Sequence, residues 1–110
     1  MSHKYDKLVR DKIPDIIHDQ GKGVCFRVLN HSEFKEYLER KLDEEVAEFH
    51  KSKSLEELAD IVEVLYALAE SHGHTVFDLG RMRRRKLFER GGFERRICLI
   101  EVTNEQTDRR

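Results

Sequence analysis

Glu44-Glu45-Val46-Ala47-Glu48, followed by Glu56-Glu57-Leu58-Ala59-Asp60, decides how this chain folds. Each run sets acids three residues apart inside an apolar pattern of helical period, where an ordinary packed helix does not put carboxylates. Taking Phe34 as zero and about 100° per residue, Phe34, Tyr37, Leu38, Leu42, Val46 and Phe49 occupy an arc from roughly −60° to +120°, with Glu45 near +20° and Glu48 near −40°. Both acids lie within the stripe. In the second pattern Glu57 and Asp60 share a face with Ile61, Val64, Ala67 and Leu68, on a helix apolar almost all round and therefore expected to be buried. Packing the two helices together brings four carboxylates between them. An ionised carboxylate buried alone is prohibitive, so the group must be protonated, meet a cationic side chain or hold a hard cation. Oxygen-only donors favour Mg²⁺, with Mn²⁺ as a substitute.

Either run taken alone has a plainer explanation in solvated or paired glutamates. Lys41 stands four residues before Glu45, Arg40 four before Glu44, and Ser54 with Glu57 has the spacing of a capping box. Two such pairs, separated by a short turn, are harder to account for as two solvated faces.

The rest of the chain sets bounds on function. Its 110 residues suit one domain, with 38% apolar content for a modest core and 39% charged residues for a heavily solvated exterior. No stretch approaches a membrane span, and the opening residues lack an apolar signal core, so a cytoplasmic protein is expected, with no membrane partner. Cys25 and Cys98 lie in apolar surroundings without metal-ligand spacing and read as buried free thiols. The apolar helix around residues 61–69 needs covering on all sides, which points to a homodimer or higher homo-oligomer.

The net charge of −1 conceals a segregation along the chain. Residues 33–70 hold twelve acids against five bases, whereas residues 81–96 hold eight bases against two acids. An acidic metal box beside a basic strip suits a polyphosphate substrate. Nucleic acid is disfavoured as a partner, because the domain is neutral overall and its acidic face would repel a phosphate backbone.

Local signals divide the chain into elements. Pro14 suits the first turn of a short helix that runs through His18 and stops at Gly21 or Gly23. Residues 24–29 read as a short strand. Ser32 is placed to cap a helix over roughly 33–51, Ser54 a second over 54–72 ended by Gly73, and Thr75 a third that stops at Gly91-Gly92. On the third, Arg83, Lys86 and Arg90 fall near Val76 and Leu79, so that face is expected to deliver cations to the acidic seam. Residues 97–102 read as a second β-like run able to pair with the first, and 104–110 as a polar tail. The expected architecture is a mainly α, antiparallel helical bundle with a small two-stranded β element, forming a single domain over residues 1–103. The histidines are scattered, and none is assigned to a metal.

The pattern Glu-Glu-x-x-Glu followed by Glu-x-x-Asp resembles the signature of the MazG-like, all-α nucleoside triphosphate pyrophosphohydrolases. Leu8-Val9-Arg10-Asp11-Lys12-Ile13-Pro14 and Arg90-Gly91-Gly92-Phe93 resemble the flanking motifs of a small single-domain branch of house-cleaning pyrophosphatases, also labelled phosphoribosyl-ATP pyrophosphohydrolase-like. The resemblance implies a helical oligomer that uses Mg²⁺ to cleave a nucleoside triphosphate to monophosphate and pyrophosphate. Carried onto this chain, it makes Glu45, Glu48, Glu57 and Asp60 metal ligands and Glu44 and Glu63 candidates for a catalytic part. Arg10, Lys12, Lys86 and Arg90 are the candidates for phosphate contacts. Two other readings accompany it: a phosphoribosyl-ATP pyrophosphohydrolase of histidine synthesis, and a non-catalytic helical binding module of the same fold.

Overall fold

The computed structural model describes residues 2 and 4–106. They form four helices: α1 (Ile13–Asp19), α2 (His31–Ser52), α3 (Leu55–Ser71) and α4 (Val76–Arg90). Among the described residues there is no strand. The expected β pair is therefore corrected: residues 24–29 and 97–102 stay irregular, with Val28 and Ile100 almost fully exposed. β-branched residues favour extended backbone, but a strand also needs a partner and a packed face, and neither segment has them here. The expected tail at 104–110 falls partly outside the described residues.

Caps set the helix boundaries. α1 begins with Pro14 in its first turn and ends before Gly21, whose φ of +81° a side chain would strain. α2 starts earlier than expected because Asn30, not Ser32, is its cap: Asn30 Oδ1 accepts from the Glu33 amide at 2.8 Å, and the Glu33 carboxylate accepts from the Asn30 amide at 3.2 Å. Glu33 also takes both guanidinium nitrogens of Arg27, at 3.2 and 3.1 Å, tying the preceding segment to the helix start. Lys53 closes α2 in the left-handed region, and Ser54 opens α3 by accepting from the Glu57 amide. Thr75 and Asp78 form the capping box of α4.

Two residues separate α2 from α3, so the pair folds back as an antiparallel hairpin and supplies most of the packing. Leu38, 2% exposed, is its best-buried side chain, joined by Tyr37 and Val64. α4 leans on α3 only through its first turns; from Arg81 onward every residue of α4 is exposed.

The expectation that α3 is buried all round is also corrected. With Leu55 as zero, Leu55, Leu58, Val62, Leu65 and Tyr66 span roughly −80° to +20°, opposite Glu57, Asp60, Val64 and Ser71 at about 140° to 200°. The second face meets α2, and the first is exposed along its length, Leu55 most of all at 81%. The chain exposes 10656 Å², against about 6,400 Å² for a compact monomer of this mass. Its radius of gyration, 19.9 Å, exceeds the roughly 13 Å of a compact domain of this length. No helix among the described residues is long and apolar enough to cross a membrane. Cys25 and Cys98 are free but exposed, not buried, because the apolar segments around them lack a covering layer.

Candidate metal centre

The hairpin fixes the acids by register. Glu45 lies two turns after Leu38 on the face of α2 that meets α3, and it is buried, 8% exposed. Glu57 and Asp60 lie on the matching face of α3, in its first turn and one turn later. One carboxylate oxygen from each of Glu45, Glu57 and Asp60 lies within 4.8 Å of the others. The three expected ligands thus converge.

Glu57 is the exceptional member. Its backbone amide is capped by Ser54, yet its side chain does not turn back to the helix start as the capping-box spacing allowed. It points into the seam, where Oε2 is shielded from water and has no hydrogen-bond partner, although the residue as a whole is half-exposed. Shielding from water, a hydrogen bond shared with Glu45, and repulsion from Glu45, Asp60 and Glu48 push its carboxyl up to about 6. No cationic side chain contacts Glu57 among the described residues.

The neighbouring acids do have cations. Arg10 Nη2 donates to Asp60 Oδ1 at 2.8 Å, and Lys41 Nζ lies 2.8 Å from Glu44 and 3.5 Å from Glu45. Lys7 adds a second contact to Glu44 at 3.2 Å. Burial acts to raise the Glu44 carboxyl, but its hydrogen bonds from Lys41 and Lys7 outweigh burial and hold it below the ordinary range. The expected Arg40 partner of Glu44 is instead engaged with Glu36 and Asp6. Glu48 is exposed at the edge of the seam, close enough only to add to the repulsion felt by Glu57. Glu63 is exposed near Arg10, whose charge it helps to stabilise. Lys12, Lys86 and Arg90 are exposed and make no ion pair among the described residues, so a single chain does not bring the basic strip to the acids.

Sequence reasoning missed Lys7 and Asp6. Both act from an irregular segment that carries no periodic signal, and their partners Glu44 and Tyr37 stand 37 and 31 residues away.

The donor set is chemically suited to a hard cation: three carboxylates, one with an orphaned, water-shielded oxygen. In the cation-free chain the same arrangement makes stability fall with pH. The folded Glu57 carboxyl binds its proton more tightly than the ordinary value of 4.5, so its contribution is complete below that value and lost as pH rises through about 6. Thermal melts in chelator are expected to fall across that window, and Glu57→Gln to flatten the fall. An unchanged pH profile in the variant would show that another group titrates.

No family model and no solved structure matches the chain. A protein of Mycolicibacterium smegmatis (strain ATCC 700084 / mc(2)155), described as uncharacterized, is 48% identical over 42 residues. That stretch is 38% of this chain and 43% of the relative, so the likeness spans less than half of either.

Proposed function

We propose that this protein is a Mg²⁺-dependent nucleoside triphosphate pyrophosphohydrolase of the MazG-like type. It would cleave an NTP or dNTP to the monophosphate and pyrophosphate, as a house-cleaning activity on non-standard nucleotides. The observation that carries the reading is the orphaned Glu57 Oε2, beside Glu45 and Asp60, with no cationic side chain among the described residues to neutralise it. The arrangement of acids within a helical hairpin accords with the sequence resemblance.

In this reading Glu45, Glu57 and Asp60 would hold the cation, with Glu48, one turn beyond Glu45, as the further carboxylate ligand that the resemblance implies. Once bound, the cation supplies Lewis acidity to the phosphate oxygens and to the attacking water. Glu63 is the exposed carboxylate free to orient that water and take its proton. Glu44, paired with Lys41 of its own helix, positions the end of the seam instead of titrating. Arg10 and Lys12 meet the phosphates from the same chain. Lys86 and Arg90, on the projecting end of α4, suit delivery to the site of a second copy in a homo-oligomer. The exposed free thiols fit a reducing, cytoplasmic setting.

Release of pyrophosphate from a panel of standard, deoxy and non-standard triphosphates and phosphoribosyl-ATP, with Mg²⁺ and with chelator, tests the reading. Mg²⁺-dependent release from triphosphates is expected. Turnover confined to phosphoribosyl-ATP would assign the enzyme to histidine synthesis, and no release from any compound would leave a non-catalytic module.

A further inference from the structure

The residues preceding α1 lie against the seam, and what holds them there is almost entirely polar. Tyr37 Oη donates to Asp6 Oδ1 at 2.6 Å, Lys7 reaches Glu44 at 3.2 Å, and Arg10 reaches Asp60 at 2.8 Å. Leu8 alone is half-buried, whereas Lys7, Val9 and Arg10 are exposed. Behind the segment a cleft of about 150 Å³ separates Asp6, Lys7 and Leu8 from Tyr37, Lys41 and Glu44. A segment fastened by charge over an open cleft is released when its charges find no partner.

We propose that residues 4–12 form an internal counter-ion strap that competes with a divalent cation for the acidic seam. The proposal rests on the reading of the seam as a cation site and adds its regulation. Lys7 and Arg10 neutralise Glu44 and Asp60 while the seam is empty of metal; a divalent ion at Glu45, Glu57 and Asp60 offsets most of the negative charge that holds Arg10 and repels its guanidinium. Binding free energies are reciprocal, so the factor by which Arg10 weakens the cation is the factor by which the cation weakens the Arg10 contact. The strap then lifts, and Arg10 is freed beside the bound cation, where an anionic phosphate oxygen is the natural exchange partner for Asp60. Docked and released straps thus correspond to the idle and loaded site.

The test uses Mn²⁺ as the probe and two readouts that need no turnover. Binding of Mn²⁺, followed by loss of the free-ion paramagnetic resonance signal, should be roughly three- to fivefold tighter in Arg10→Gln than in the wild type. Arg10→Lys, which keeps the charge, should remain near wild type, as should Lys22→Gln, an exposed cation away from the seam. In wild-type protein, tryptic cleavage after Lys7 and Arg10 should accelerate severalfold on adding Mn²⁺, relative to cleavage after Lys22. Equal or weaker Mn²⁺ binding in Arg10→Gln, or a cleavage ratio that ignores Mn²⁺, would overturn the strap while leaving the cation site standing. Absence of Mn²⁺ binding in every protein would refute the site itself and the strap with it.

Discussion

Glu57→Gln should abolish Mg²⁺-dependent turnover, with a loss of at least about 10³-fold, roughly 4 kcal/mol of transition-state stabilisation. Glu45→Gln and Asp60→Asn should do the same, because each turns one of the three carboxylates whose oxygens converge within 4.8 Å into a neutral amide. The stabilities of the metal-free proteins should separate the three. Glu57 has an orphaned oxygen and no cationic partner among the described residues, so its neutral isostere relieves repulsion and raises the melting temperature in chelator. Asp60→Asn takes the charge from the 2.8 Å partner of Arg10, and Glu45→Gln weakens the contact with Lys41, so neither gains as much. Steady-state kinetics with Mg²⁺ and melts with chelator give both readings on the same preparations. Near wild-type turnover in all three variants would remove the cation from the seam.

At micromolar concentration the chain should sediment as a dimer or larger, and Val62→Glu combined with Leu65→Glu should give monomers that melt at lower temperature. The argument is the two-faced α3. Glu57, Asp60 and Val64 meet α2, while Leu55, Leu58, Val62, Leu65 and Tyr66 form a continuous exposed stripe. The chain exposes 10656 Å², some 4,000 Å² above a compact monomer of its mass, more than the roughly 1,000–2,500 Å² that an obligate interface takes from each partner. Forcing a carboxylate into such a contact costs at least about 3 kcal/mol, more than a hundredfold in Kd. Wild-type protein that sediments as a monomer with a cooperative melt would show that the stripe is tolerated in water.

Why the sequence reveals the seam but not its neutralisation is a matter of range. A helix wheel uses spacings of three and four residues, and it correctly put Glu45, Glu57 and Asp60 on facing stripes. The same wheel put Glu48 inside the arc, but the face of α2 that α3 covers is narrower than the apolar stripe, and Glu48 ends exposed at its edge. Val46, at the other margin, is exposed for the same reason. For α4, periodicity placed Lys86 and Arg90 beside Val76 and Leu79, whereas contact with α3 ends before either cation.

By itself the sequence determined the four helices and most of their limits, because caps and turns act within a few residues: Ser54 on the Glu57 amide, Thr75 with Asp78, and positive φ at Gly21, Gly73 and Gly91. It also determined that acids would meet between α2 and α3, since two residues joining two amphipathic helices leave little choice but an antiparallel hairpin. Tertiary structure alone decided which residues answer those acids. Arg10 reaches Asp60 across 50 residues of chain, Lys7 reaches Glu44 across 37, and Glu57 is left without a cation among the described residues. It also decided that residues 24–29 and 97–102 stay unpaired, because strand formation depends on a neighbour's hydrogen bonds and packing, which no local pattern of β-branched residues can supply.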